Sequence, residues 1–391
     1  MRNRIMAKTL IKNIGCLYSG DVKNPKLNAD SIIIEDAKIV EVGNGLSAAD
    51  ATVIDAKGTT VMPGLLDSHV HTVVGTWTPR QEAMDWVAPY VASGVTGLIS
   101  VGETHIPGKP KNAIGMKALS VLAKQTFDNV RPSKMKVYGG AYIMHTDAQK
   151  EDFKFLKEQG VKNTGEIGLG TCNAAHLEDT IRIRGYAKEA GMPVVLHRGD
   201  PYLHGSAAQD PDSIVAIQPD VICHCTIGRC PNEEIDRYFE QVPDAKIELT
   251  TPQLSYTSAN TYVINTAVKR GQPERIILGN DCPSGFGLYP HGIWDMVVFA
   301  AAFANVSVGE AIAMATGNTG KTFDLGTGVI EAGQFADIVI CDAPVGSDYA
   351  DATAAMADGT MPAVSMVLID GEIVAEGKKC LSAPAKSAAT H

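Results

Sequence analysis

With 391 residues, 45% of them hydrophobic and 20% charged, the chain has the composition of a globular α/β protein long enough to bury a large core. A formal net charge of -10, with lysine and arginine scattered instead of clustered, excludes the basic footprint of a nucleic-acid binder. The N-terminal stretch alternates polar and apolar residues, and no apolar run reaches the roughly 18 residues of a membrane span, so no membrane partner and a cytoplasmic location are expected.

In chain order, short runs at residues 9–14, 31–35, 38–42 and 52–55 predict strands, with a tight hairpin at Glu35-Asp36-Ala37-Lys38. From about residue 60 to about 323, apolar runs alternate with longer helical patterns. Eight runs predict strands, at 61–66, 96–101, 135–143, 164–168, 193–197, 221–224, 246–250 and 275–279. Helices are predicted at 80–93, 113–123, 150–158, 177–190, 233–241 and 259–269. This alternation predicts a (β/α)8 TIM-type barrel over residues 61–323, with its active site at the C-terminal ends of the strands. Strands return at 337–341, 363–369 and 372–375, with Asp370-Gly371 as a hairpin turn. Residues 1–60 and 324–381 are therefore expected to form one composite β-sandwich domain, and 382–391 a flexible tail.

The chemistry begins just past the first of the eight runs, at Asp67-Ser68-His69-Val70-His71. Alternation along an extended chain puts Asp67, His69 and His71 on one face, so that two imidazoles converge. Alone, such a pair is also what chance supplies. Partners follow in order at later strand ends: Glu166, His197, His224, and Asp281 after Leu278-Gly279-Asn280. Singly, each could be a satisfied polar cap or a hydrogen-bonded core histidine. Four histidines and two carboxylates at one barrel mouth read instead as a metal site.

Other residues carry weaker signals. Cys223, Cys225 and Cys230 lack the paired spacing of a zinc knuckle, alternation turns Cys223 and Cys225 away from His224, and all eight cysteines are expected as reduced thiols. His105, His145, His204 and His291 lie near strand ends and are candidate substrate contacts, with solvated loop histidines as the plainer reading. Lys109 and Lys111 either meet an anionic substrate or, more simply, lie in solvent, and Arg198 is expected in a salt bridge within the wall. Gly168-Leu169-Gly170 lacks the third glycine of a nucleotide loop, and the apolar runs 296–304 and 311–315 are expected to pack on the barrel.

Pro63-Gly64-Leu65-Leu66-Asp67-Ser68-His69-Val70-His71, the later strand-end His, His and Asp, and Gly333-Gln334-Phe335-Ala336-Asp337-Ile338-Val339 together resemble the amidohydrolase superfamily over nearly the whole chain. The resemblance implies two divalent metal ions, zinc and/or iron, with His69, His71 and Asp281 on one, His197 and His224 on the other, and a strand-four residue bridging both. Many members bridge with a carboxylated lysine. Here Lys162 precedes the strand, so Glu166 is expected as the bridge. The resemblance further implies hydrolysis of a cyclic amide C–N bond with Asp281 as proton carrier, and a homotetramer acting on a small anionic substrate. The branch with carboxylate bridges that it is most similar to implies 6-oxo-1,4,5,6-tetrahydronicotinate as that substrate, opened to 2-formylglutarate and ammonia. Alternatives left open are another cyclic amidase or deaminase of imidazolone, dihydropyrimidine or adenine type, a phosphotriesterase-like enzyme, and a non-catalytic scaffold. The scaffold would be expected to have lost ligands that are all present here.

Overall fold

The computed structural model describes residues 8–72, 87–102, 108–199, 209–228, 230–282, 288–377 and 382–391. Strands from the two ends of the chain pair with each other. Ile338–Asp342 runs antiparallel to both Thr60–Pro63 and Ala363–Ile369, in a six-stranded sheet completed by Cys16–Tyr18, Lys26–Leu27 and Glu372–Glu376. A five-stranded sheet joins Lys8–Lys12, Ser31–Glu35, Lys38–Gly43, Thr52–Asp55 and Ala389–Thr390. Ile11, Ile34 and Ile54 from this sheet and Val61, Ile338 and Leu368 from the other belong to one buried apolar cluster. Both hairpins form where the turn chemistry places them. Asp370 and Gly371 take φ of 53° and 75°, the positive pair that a two-residue turn between twisted strands requires.

The segment expected to be a flexible tail is paired. Ala389–Thr390 lies antiparallel to Thr52–Asp55, and Lys386 donates its backbone N–H to Asp342 at 2.9 Å. These contacts are made by main-chain groups, which leave no apolar periodicity in a sequence.

The middle of the chain carries two parallel sheets. One contains Leu65–Val70, Val95–Ser100 and Lys136–Tyr138; the other contains Val195–His197, Val221–Cys223, Lys246–Thr250 and Ile276–Gly279. Isolated parallel bridges Tyr142–Thr164, Ile167–Leu196 and Val70–Cys282 lie at their margins. The run expected as a strand at 164–168 is therefore two single bridges. Gly165 explains the irregularity: a Cβ there would stand 2.7 Å from Ile143 Cγ1 and 3.0 Å from the Val101 carbonyl oxygen, so this backbone passes its neighbours without room for a side chain.

The first predicted strand divides at Gly64. Thr60–Pro63 joins the antiparallel sheet and Leu65–Val70 the parallel one, so the boundary falls three residues beyond the expected 61 and the histidine motif begins inside its strand. A Cβ on Gly64 would meet Thr96 Oγ1 at 2.2 Å, which leaves glycine as the residue that fits the crossing. Lys136 clamps the same boundary, with its ammonium 2.8 Å from Asp337 and 2.6 Å from Asp370.

Helices Ala113–Val130, Lys150–Glu158, Leu177–Glu189, Asn232–Gln241 and Thr257–Lys269 follow the predicted runs; of the helix expected at 80–93, residues 80–86 lie outside the described residues and Ala88–Ala92 is helical. The apolar run near 296–304 is helix Gly292–Phe303, whose buried Trp294 donates to the Ser93 carbonyl at 2.6 Å. Among the described residues, no helix is long and apolar enough to cross a membrane.

Candidate metal centre

Leu65–Val70 is buried at every position, which puts His69 in the core with no exposed surface. Its Nδ1 lies 2.7 Å from Glu248 Oε2, while the Ser68 hydroxyl donates to Glu248 Oε1 at 2.5 Å. A carboxylate can only accept, so Nδ1 carries the proton and the Nε2 lone pair is free to face the interior. That Nε2 is buried and has no hydrogen-bond partner among the described residues. His71 is oriented in the same way by the Gly102 carbonyl, 3.2 Å from its Nδ1.

Six side chains converge from different strand ends, and Glu166 stands between two groups of them. Its Oε2 lies 3.7 Å from His69 Nε2 and 3.8 Å from His71 Nε2, and Asp281 Oδ1 lies 3.5 and 3.4 Å from the same two nitrogens. Its Oε1 lies 3.4 Å from His197 Nδ1 and 3.0 Å from His224 Nε2. Ligands standing about 2.0–2.2 Å from one shared ion would show spacings of this order between their donor atoms. Neutral imidazoles beside carboxylates suit zinc and iron alike.

The backbone bends to deliver two of these groups. His224 and Asp281 have φ of 34° and 53°, left-handed values outside the range that most side chains adopt. Each such residue costs on the order of 1 kcal/mol, a strain that collects at functional sites.

The electrostatics call for cations. Burial opposes ionisation of Glu166, yet His69, His197 and His224 outweigh it and hold the carboxyl well below its usual range. Asp281 is likewise lowered to about 2, against burial, chiefly by His69 and His71. Burial opposes charge on His69, but Glu248, Glu166 and Asp281 raise its pKa to about 10. The buried carboxylates thus demand positive charge at this point, and two divalent ions would supply it while taking the histidines as neutral ligands. Burial pushes Asp67 up to about 8; its Oδ1 accepts backbone N–H groups from His69 and Asn280, tying the first strand to the last.

Glu248 is the residue that sequence reasoning missed. Its signal was a lone acidic side chain in the otherwise apolar strand Lys246–Thr250. Cys223 Sγ joins His69 and Glu248 in one compact buried group, and Cys225 lies in the main apolar core, away from knuckle geometry. Lys162 is turned outward to the Asp324 carbonyl at 2.8 Å and takes no part. Arg198 sits in the wall as expected, donating to Glu234 at 2.8 and 3.0 Å.

The candidate substrate contacts separate. His145 is buried, with Nδ1 3.2 Å from Thr171 Oγ1. His291 is half-buried at the residue before helix Gly292–Phe303, where its side chain makes no capping hydrogen bond. His105 and His204 lie outside the described residues. Lys111 is exposed as expected, whereas Lys109 is half-buried and donates to the Leu169 carbonyl at 3.0 Å. A proline and glycine loop gives no periodicity from which that burial could be read.

Comparison with known proteins places the chain in a family. The profile of the amidohydrolase family matches residues 60–374. The chain belongs to the amidohydrolase family. It is 41% identical over 389 residues to an enamidase of Eubacterium barkeri, a match covering 98% of this chain and 99% of that relative. An enamidase crystal structure superposes with a TM-score of 0.91 at 39% identity, covering 98% of this chain and 100% of that one. A dihydroorotase of Streptococcus thermophilus is 28% identical over 200 residues, which are 50% of this amidohydrolase and 43% of the relative. A β-aspartyl dipeptidase of Fervidobacterium islandicum shares the fold alone, with a TM-score of 0.65 at 17% identity over 98% of both chains.

Proposed function

We propose that the chain is a binuclear metal-dependent enamidase that opens 6-oxo-1,4,5,6-tetrahydronicotinate to 2-formylglutarate and ammonia. The observation that carries this reading is Glu166, with one carboxylate oxygen toward His197 and His224 and the other toward His69 and His71. The choice of substrate rests on the near full-length likeness to an enamidase. In this reading the two parallel sheets and the bridges at their margins form a (β/α)8 barrel, and the sheets shared by the chain ends form a composite β domain. A cytoplasmic homotetramer of nicotinate degradation belongs to the same reading on resemblance alone.

His69, His71 and Asp281 would hold one ion and His197 and His224 the other, with Glu166 between the two groups as the shared ligand. Two divalent ions bound there, zinc, iron or one of each, would supply a water ionised near neutrality and a Lewis acid for the amide carbonyl. Glu166 brings a permanent charge to the bridge and needs no carbon dioxide. Glu248 fixes the tautomer and direction of His69. Asp281, ionised at neutral pH, takes the proton of the attacking water and returns it to the departing ring nitrogen. The ring then opens to an enamine, which tautomerises to an imine. A second water adds to the imine carbon, and ammonia leaves as the aldehyde forms, so two waters are consumed for the two C–N bonds broken.

The test is incubation of metal-replete protein with 6-oxo-1,4,5,6-tetrahydronicotinate, reading ammonia release and the product mass. The expected result is 2-formylglutarate and one ammonia per ring. Opening of dihydroorotate with the enamide left intact would replace the substrate while keeping the chemistry. Hydrolysis of neither would remove the reading.

A further inference from the structure

The loop that leaves Glu166 holds two hydrogen-bond donors that the hydrolytic chemistry does not use. Leu169 donates its backbone N–H to the Glu166 carbonyl at 3.3 Å, and its own carbonyl accepts from Lys109 Nζ at 3.0 Å. Two residues on, Thr171 Oγ1 accepts from the Thr146 N–H at 2.8 Å and lies 3.2 Å from both Thr146 Oγ1 and His145 Nδ1. Where the Thr146 hydroxyl donates to Thr171, one of the two directions open to that pair, the Thr171 hydroxyl has His145 Nδ1 left to donate to. The proton of the neutral ring then sits on Nε2.

That Nε2 is buried without a hydrogen-bond partner among the described residues, in a side chain only 4% exposed. Burial lowers the pKa of His145, with Lys109 adding to the effect and Asp147 opposing it, so the ring is neutral near pH 7 and Nε2–H remains a donor. Lys109 is similar: burial lowers its pKa, and among the described residues its ammonium is held by the neutral Leu169 carbonyl. An unmatched half-buried ammonium and an unpartnered buried imidazole N–H, anchored on one loop, are incomplete without an acceptor.

We propose that Lys109 and His145 form the subsite for a ring carboxylate, giving the enzyme its preference for anionic cyclic amides over neutral ones. The proposal deepens the reading of the site as an enamidase and rests on it for the nature of the ring. It distinguishes these two residues from Lys111, which is exposed.

The probe pair is 6-oxo-1,6-dihydronicotinate, an aromatic lactam that carries the carboxylate, and 2-pyridone, the same ring without it. Calorimetry on metal-replete enzyme should show the carboxylated ring bound about 10- to 100-fold more tightly, the range for a hydrogen bond to a charged group. Lys109→Met and His145→Leu should each remove most of that preference while leaving the 2-pyridone affinity within about threefold. His145→Gln, which keeps an N–H near the Nε2 position, should restore part of it, a rescue that a merely structural role would not give. Thermal melts and metal content of the same preparations identify any variant that fails to fold, and His145→Gln then carries the test. An unaltered preference in folded Lys109→Met and His145→Leu, or no preference in the wild type, overturns the proposal. Turnover separates the two readings. Wild-type enzyme that prefers the carboxylated ring but never opens the enamide refutes the enamidase reading and leaves the subsite standing. Wild type that opens the enamide while both variants keep the full preference refutes the subsite alone.

Discussion

Replacing Glu248 by glutamine isolates what a carboxylate standing behind His69, a proposed metal ligand, contributes. The side chain is fully buried, 2.7 Å from His69 Nδ1 and 2.5 Å from the Ser68 hydroxyl. Glutamine keeps the shape: its oxygen can accept from His69, and Ser68 can reverse and accept from the amide. The number of hydrogen bonds survives and the charge does not. Loss of such an outer partner lowers metal affinity about 10- to 100-fold, or roughly 1.4–2.7 kcal/mol. The upper half of that range is expected here, because both side chains are fully buried and solvent screening is weak there. Competition with a chelator at fixed pH measures the affinity. A second readout comes from chelated protein. Burial opposes a charge on His69, but Glu248, Glu166 and Asp281 raise its pKa to about 10. The stability from protonated His69 is therefore full below the unfolded value of about 6.5 and lost as pH rises through about 10. The melting temperature of chelated wild type should fall over that window, and that of Glu248→Gln should fall less. Unchanged metal affinity together with an unchanged pH slope would show that Glu248 is no more than a filler of the core.

Three further outcomes are expected. Glu166→Gln should lose metal and turnover together, since a neutral amide cannot balance two divalent ions; elemental analysis beside kcat checks this, and wild-type metal content would mean that another residue bridges. Asp281→Asn should keep its fold and most of its metal while kcat for ammonia release falls by at least about 10²-fold, and turnover within a few-fold of wild type would reduce Asp281 to a ligand. At the boundary between the sheets, burial opposes ionisation of Asp370, but Lys136 and Arg131 outweigh it and lower its pKa. The stability from the Asp370 ion pairs is thus present above the unfolded value of about 3.9 and lost as pH falls through the lower folded one. Thermal melts on acidification should show Asp370→Asn with a shallower loss than wild type, and parallel curves would contradict the ion-pair account.

The six residues that converge in the buried cluster were legible because they stand in or just past short apolar runs, where an ionisable group has few structural uses. The hairpin at Asp370-Gly371 was legible for a similar reason, as its residue types answer a backbone need. What escaped depends on tertiary contact. Gly64 divides a run that looks continuous, because the obstacle is Thr96, far away in sequence. Ala389–Thr390 pairs through backbone groups alone. Glu248 has the look of a lone surface acid until His69 and Ser68 are brought against it. Lys109 lies in a loop whose composition says nothing of the Leu169 carbonyl that holds it.

The central claim is that Glu166 joins two metal sites in one buried cluster, and metal stoichiometry tests it most directly. Protein purified without chelator should carry two equivalents of zinc, iron or a mixture per chain, and Glu166→Gln should carry fewer. Active wild-type protein with no metal, or with one equivalent that Glu166→Gln retains, would contradict the account.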